Sequence, residues 1–111
     1  MSTWKIPPDG GHLDKASGIY LQNMTWKQIE ERLKANDIII VPVGSTEAHG
    51  PHAPLGEDTF LVTRMAEAVA QRTGCTVAQP VWYGSHPYHH MGMPGTIIVP
   101  EEYFIGQLKA I

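Results

Sequence analysis

The segment Ile38-Ile39-Ile40-Val41-Pro42-Val43 decides the fold class, because every one of its residues is apolar. A half-exposed antiparallel strand alternates apolar and polar residues, whereas a parallel strand that is buried on both faces is apolar throughout. The segment therefore predicts a buried strand of a parallel sheet. Pro42 is expected near the end of this strand, where its missing N–H donor matters least.

A helix is predicted on each side of this strand. Before it, Thr25 is expected to cap a helix over residues 26–34, since Gln28 stands three residues later in the capping-box position. After it, Asp58 is expected to open a helix whose apolar residues recur at helical spacing until Gly74 ends it. The strand is therefore expected to lie between two amphipathic helices.

The rest of the chain adds strands and a third helix. Residues 75–81 predict a second strand, residues 96–99 fit a short strand, and a helix is expected from Pro100 onward. This order predicts an α/β fold with layers of helix on a mostly parallel sheet, as one domain over residues 1–111 with an irregular arm at 1–23. Two or three strands are too few to shield apolar strands from water, so we expect further chain or another subunit to complete the sheet.

The composition argues against several classes of function. The 111 residues include 8 basic and 11 acidic side chains, a net charge of −3 without charge runs, so no positive surface is expected to bind nucleic acid. The longest apolar stretch, residues 38–43, is far too short to cross a bilayer. Cys75 is the single cysteine, and residues 1–7 lack the apolar run of a signal peptide, which together predict a cytoplasmic protein.

The loop that follows the buried strand, residues 44–58, carries the residues with the clearest chemistry. Ligands of open α/β sheets collect beyond the carboxyl ends of the strands, where this loop is expected to lie. Glu47 and His49 point the same way on extended backbone, and Asp58 returns to the same region as the next helix begins. Two carboxylates and an imidazole suit Zn²⁺ or Mn²⁺, and an aspartate can bridge two ions. We therefore predict these three residues as ligands of a paired-metal site that activates a water.

The same residues also allow a purely structural interpretation. Glu47 and Asp58 would then cap helix N-termini, while His49 and His52 would be solvated loop side chains. The position of the loop at the end of a strand, and the crowding of Gly and Pro within it, favour the metal site.

A second loop, residues 82–95, follows the second predicted strand and is expected to form another wall of the same cleft. His89 and His90 are adjacent, so on extended backbone they point to opposite faces and at most one of them faces the site. A histidine of this loop either binds substrate or transfers a proton, or else anchors the loop through hydrogen bonds. We predict Ser85 and His90 as the substrate-binding residues.

Two motifs in these loops resemble the signatures of the creatininase family of metal-dependent amidohydrolases. They comprise Gly44-Ser45 with Glu47, His49-Gly50, His52, Pro54-Leu55 and Asp58, and then His90 with Met93-Pro94-Gly95-Thr96. The resemblance implies a three-layer α/β/α fold, a homo-oligomer, and hydrolysis of small ring or amide substrates by a metal-activated water. It further implies that Glu47 binds the first of two divalent ions and His49 the second, with Asp58 bridging both.

Within the family, residues 18–21 and 86–90 are most similar to a branch that opens the ring of 3-dehydro-scyllo-inosose in inositol breakdown. That similarity implies hydrolysis of a carbon–carbon bond beside a ketone, with creatinine ring opening as the alternative. The ions would be Zn²⁺ or Mn²⁺, or else Fe²⁺. Family members are longer and supply a further histidine and carboxylate ligand downstream. The chain is therefore expected either to work with the remaining half of the fold or a second chain, or to be a non-catalytic assembly module.

Overall fold

A computed structural model describes residues 18–111, apart from the side chain of His89. Most of the predicted N-terminal arm lies outside these residues. The structure contains an α/β arrangement of helices on a small parallel sheet, which confirms the predicted fold class. None of the helices within residues 18–111 combines the length and the apolar character that crossing a membrane requires.

The first two helices begin and end within one residue of the positions that the capping signals predict. Helix α1 (Trp26–Ala35) begins after Thr25, whose hydroxyl accepts the backbone N–H of Gln28 at 3.3 Å while the Gln28 side chain accepts the Thr25 N–H at 2.8 Å. Helix α2 (Glu57–Thr73) starts one residue earlier than predicted and ends at Gly74, whose φ of +77° is the left-handed conformation that glycine adopts without steric cost. Helix α3 (Glu101–Ala110) follows Pro100 as expected.

The two predicted strands lie side by side and parallel, but the regular ladder is short. Strand β1 (Ile39–Ile40) pairs with strand β2 (Thr76–Val77). A further parallel bridge joins Val43 to Val81, with the Gly44 N–H donating to the Val81 carbonyl at 2.9 Å. The ladder between these contacts is interrupted because Pro42 and Pro80 have no N–H to donate. The segments predicted as strands therefore keep their direction and pairing while only four residues form regular β-structure.

The prediction that the segment over residues 38–43 is buried on both faces is wrong for the described chain. Ile38, Ile39 and Val43 are 58%, 38% and 40% exposed. Ile39 and Val43 line an open apolar groove of about 430 Å³ together with Leu108 and Ile111 near the end of α3. The sheet has too few neighbouring elements to cover this face, which is the shortage of layers that the sequence predicts.

The core lies on the other side of the sheet, against α2. Tyr20, Ala66, Ala70 and Val77 form a buried cluster. Tyr20 makes a parallel bridge to Val77, and the Tyr20 hydroxyl donates a hydrogen bond to the Glu67 carboxylate on α2. The last part of the arm, expected to be irregular, therefore adds a third strand-like position beside β2 and then forms one 3₁₀ turn at Leu21–Asn23.

Residues 96–99 form no regular strand. Ile97 makes a single antiparallel bridge to Thr46, and its N–H donates to the Thr46 carbonyl at 2.9 Å. The Val99 N–H donates to the Gly84 carbonyl at 3.0 Å. The segment thus ties together the loops that follow β1 and β2 instead of extending the sheet.

Candidate metal centre

Two glycines allow the loops after β1 and β2 to meet at the N-terminus of α2. A Cβ atom on Gly44 would lie 2.1 Å from the hydroxyl oxygen of Thr59 and 2.6 Å from its Cα. A Cβ atom on Gly84 would lie 2.6 Å from the carbonyl oxygen of Gly44. Any side chain at these two positions would separate the two loops from each other and from α2, so glycine is required for their close approach.

Side-chain hydrogen bonds hold the two loops in register. The Thr46 hydroxyl donates to the Trp82 carbonyl at 3.0 Å, and the backbone N–H of Ala48 donates to the Thr96 hydroxyl at 2.9 Å. Thr46 and Ala48 flank Glu47, and Thr96 ends the second motif. The backbone on both sides of Glu47 is therefore fixed by contacts with the other loop.

The three predicted metal ligands converge at this point. Ligand atoms of Glu47, His49 and Asp58 all lie within 4.8 Å of one another. His49 Nε2 is 2.9 Å from Asp58 Oδ2 and 3.8 Å from Glu47 Oε1, while His49 Nδ1 is 3.6 Å from a Glu57 carboxylate oxygen. One imidazole is thus surrounded by three carboxylates, an excess of negative charge that a divalent cation would balance.

Asp58 is held in its ionised form. Burial alone would raise the pKa of Asp58, but hydrogen bonds from the Ser45 hydroxyl, at 2.9 Å, and from His49 outweigh burial and hold that pKa below its usual value of 3.8. Asp58 also lies in the first turn of α2, where the helix dipole favours negative charge. Its carboxylate is therefore available as a ligand at neutral pH.

A second group of possible ligands lies on the other side of Glu47. Glu47 Oε2 is 2.8 Å from His86 Nδ1 and 3.3 Å from His90 Nδ1. Ligand atoms of Glu47, His86 and His90 also lie within 4.8 Å of one another, and the two rings are 5.8 Å apart between centroids. The His86 Nε2 atom faces the carbonyl oxygen of Ile97 at 3.0 Å. Glu47 therefore stands between two clusters that use its two carboxylate oxygens.

The predicted site residues meet with different outcomes. Glu47, His49 and Asp58 are brought together, and His90 contacts this group through Glu47. Ser85 is exposed, and within residues 18–111 no side-chain hydrogen bond joins it to the cluster.

Sequence reasoning missed three contributors, Ser45, Glu57 and His86. Ser45 belongs to the first motif and Glu57 directly precedes Asp58, which is a usable signal for their involvement. Nothing in the sequence signals the contact between His86 and Glu47, because the two residues are distant along the chain and meet only through the loop packing.

The donor set fits a borderline divalent metal ion. Carboxylate oxygens and imidazole nitrogens are ligands of Zn²⁺ and Mn²⁺, whereas Mg²⁺ and Ca²⁺ favour oxygen alone. Glu47, His49 and Asp58 are all only partly buried, so solvent reaches the cluster. With water as a further ligand, the three residues could complete the coordination of one ion. Two ions would need additional ligands from other residues.

Comparisons with known proteins identify relatives of this chain. Residues 22–111 match the family model described as creatininase, creatinine amidohydrolase. The chain is 66% identical over 99 residues to a 3-dehydro-scyllo-inosose hydrolase of Thermotoga maritima, an alignment that covers 89% of this chain and 32% of that protein. It is 33% identical over 86 residues to a creatinine amidohydrolase of Pseudomonas putida, covering 73% of this chain and 33% of that protein.

Solved creatininase structures share the fold. Two of them, the Mn creatininase and a creatininase mutant of Zn–Zn type, each align with a TM-score of 0.77 at 29% identity. Each alignment covers 83% of this chain and 38% of the other. The chain thus spans about a third of the length of the curated relatives it matches.

Proposed function

The chain belongs to the creatininase family, and on that premise we propose that it supplies Glu47, His49 and Asp58 as ligands to the paired-metal centre of a hydrolase. The observation that carries this proposal is the convergence of their ligand atoms within 4.8 Å, from a loop and a helix start. Zn²⁺ and Mn²⁺ are the proposed ions, with Fe²⁺ as a further option for the same donor set.

Each residue has a distinct proposed task. Glu47 would hold one ion, His49 the other, and Asp58, with two oxygens and an ionised carboxylate, would bridge them. When bound, such a pair lowers the pKa of a shared water toward neutrality and polarises a substrate carbonyl. The Ser45 hydroxyl keeps the Asp58 carboxylate in one orientation, as neighbours of metal ligands commonly do.

The proposed substrate is a small cyclic polyol ketone, 3-dehydro-scyllo-inosose, whose ring would be opened by hydrolysis of the carbon–carbon bond beside the ketone. Support comes from the 66% identity to the Thermotoga hydrolase of that name, twice the 33% identity to the creatinine amidohydrolase. Ser85 and His90 are the proposed substrate contacts, because both lie on the loop that borders Glu47. Creatinine, or another cyclic amide, is the alternative substrate.

The remaining ligands and the rest of the sheet are proposed to come from outside these 111 residues. The exposed apolar face around Ile39 and Val43 supports this view, because more chain or another subunit would cover it. We propose that residues 1–111 form the N-terminal part of one creatininase-like domain, in a homo-oligomer. A cytoplasmic location is proposed because Cys75 is a free, buried thiol.

The test uses the intact protein, meaning residues 1–111 together with the chain proposed to complete the fold. It compares metal-loaded wild type with a metal-loaded Asp58→Asn variant. Wild type should contain bound transition ions and hydrolyse 3-dehydro-scyllo-inosose, and the variant should lose ions and more than about 100-fold in activity. Asp37→Asn is a matched control, since Asp37 is an exposed aspartate in the turn before β1. Retention of full activity after metal removal would contradict the proposal. A folded intact protein that binds no ions and hydrolyses neither substrate would instead identify a non-catalytic module.

A further inference from the structure

We propose that Glu47, His86 and His90 form an additional cation site for a first-row divalent transition ion such as Zn²⁺. This site is separate from the Glu47–His49–Asp58 group, although Glu47 belongs to both. It rests on the proposed function only through that shared carboxylate. Each oxygen of Glu47 faces a different group, because Oε1 faces His49 while Oε2 faces His86 and His90.

The spacing of the ligand atoms fits one bound ion. Bonds of about 2.0–2.2 Å from Zn²⁺ to nitrogen and oxygen place neighbouring ligand atoms roughly 3 Å apart in tetrahedral or octahedral geometry. Glu47 Oε2 lies 2.8 Å from His86 Nδ1 and 3.3 Å from His90 Nδ1, which matches this separation.

The surroundings of His86 give a separate reason to expect a bound cation. Its side chain is only 6% exposed. If Nε2 carries the ring proton, that N–H donates to the Ile97 carbonyl, and Nδ1 keeps its lone pair. Nδ1 then has no hydrogen-bond partner among the described residues, because its short approach to Glu47 lacks hydrogen-bond direction.

This arrangement brings together two atoms that both carry lone pairs, one on His86 and one on Glu47. In the neutral form with the proton on Nε2, a lone pair of His86 Nδ1 faces a carboxylate oxygen of Glu47 at 2.8 Å in a buried place. Such a contact is unfavourable without a positive charge between the two atoms. A bound cation removes the repulsion and gives the buried nitrogen a partner.

The chemistry of the ligands selects the ion. Two imidazoles and one carboxylate suit Zn²⁺, Mn²⁺ or Fe²⁺, while Mg²⁺ and Ca²⁺ take oxygen ligands. Three protein ligands leave at least one coordination position for water or for an oxygen atom of a ligand.

The test compares metal stoichiometries in the intact protein. Wild type, His86→Gln and Asp58→Asn are stripped of metal and titrated with Zn²⁺, and with Co²⁺ for its visible absorption. Glutamine can keep a donor near the Ile97 carbonyl but lacks the Nδ1 ligand. His86→Gln should lose one equivalent and its part of the Co²⁺ spectrum. Asp58→Asn should keep that equivalent while losing ions of the other group.

Two further variants keep the outcome decisive. His90→Gln should also lose this equivalent of bound ion. Because His90 is 25% exposed, its substitution disturbs the fold less than that of the buried His86, so a loss in this variant is not explained by misfolding. His52→Gln, at an exposed histidine of the first loop, should bind as many ions as wild type.

Equal stoichiometry in wild type, His86→Gln and His90→Gln would overturn the additional site, and would assign the contact between His86 and Glu47 to an ion pair. If Asp58→Asn alone loses ions, the proposed function survives without the additional site. If only the histidine variants lose an ion, the additional site survives and the proposed paired-metal centre fails.

Discussion

The Ser45 hydroxyl donates a hydrogen bond of 2.9 Å to Asp58 Oδ2, which joins the residue after the first glycine of the loop to the start of α2. Ser45 is buried, so solvent competes little for this hydrogen bond. The contact links the two ends of the loop that carries Glu47 and His49.

Ser45→Ala should weaken metal binding by about 10-fold or more, as other substitutions next to metal ligands do. Without the hydroxyl, the pKa of Asp58 should rise toward its usual value, and the carboxylate should lose its fixed orientation. Competition with a chelator in the intact protein measures the affinity. Ser85→Ala is the matched control, because Ser85 is exposed and should leave metal affinity unchanged. Equal affinity in wild type and Ser45→Ala would refute the role of Ser45.

Gly44→Ala should destabilise the fold by roughly 1–3 kcal/mol, the usual cost of overpacking. Its Cβ would lie 2.6 Å from the Cα of Thr59, so backbone has to move. Gly106→Ala is the matched control, because Gly106 lies within α3 with nothing near its Cβ position, and alanine there should stabilise the helix by up to about 1 kcal/mol. Denaturant unfolding of the intact protein measures both changes. Similar destabilisation by the two substitutions would contradict the claim that Gly44 is required for the close approach to Thr59.

Tyr20 should make the protein sensitive to alkaline pH. Burial, and then the contact with Glu67, raise the pKa of Tyr20 well above its usual value of 10. A raised pKa means that the stabilisation is complete below about pH 10 and is lost as the pH rises further, because the unfolded chain ionises first. Tyr20→Phe should cost about 1 kcal/mol near neutral pH through the lost hydrogen bond, and this difference should shrink above about pH 10.

Thermal unfolding of wild type and Tyr20→Phe from about pH 8 to about pH 11 provides the measurement. Tyr103→Phe serves as the control, since Tyr103 is an exposed residue of α3. A constant difference between wild type and Tyr20→Phe across this range would show that Tyr20 ionisation does not limit stability.

Arg32→Lys should destabilise the contact between α1 and β2. The Arg32 guanidinium donates to the Thr76 hydroxyl and to the Cys75 carbonyl, each at 2.8 Å, and a lysine amine cannot reproduce this planar fork. Hydrogen bonds to charged groups contribute about 1.5–3 kcal/mol, so the loss should fall in or below that range. Lys34→Arg, on the exposed face of the same helix, should change stability by less than about 0.5 kcal/mol. Chemical denaturation distinguishes the two variants.

Local signals in the sequence were sufficient for the helices and for the grouping of Glu47, His49 and Asp58. The Thr25 capping box and the glycine at position 74 set helix ends through contacts within a few residues, so their effect is visible without the fold. Glu47, His49 and Asp58 lie within one loop after an apolar strand, and the general position of ligands at strand ends identifies them as a group.

Tertiary structure decided what depends on contacts between distant segments. The exposure of Ile38 and Val43 follows from how many layers cover the sheet, and the apolar residues of the strand segment do not themselves reveal that exposure. His86 meets Glu47 only because Gly84 packs against Gly44 and Ile97 bridges to Thr46. The sequence by itself therefore determined the helices and the grouping of Glu47, His49 and Asp58, whereas loop packing between the two strand ends decided which further side chains face Glu47.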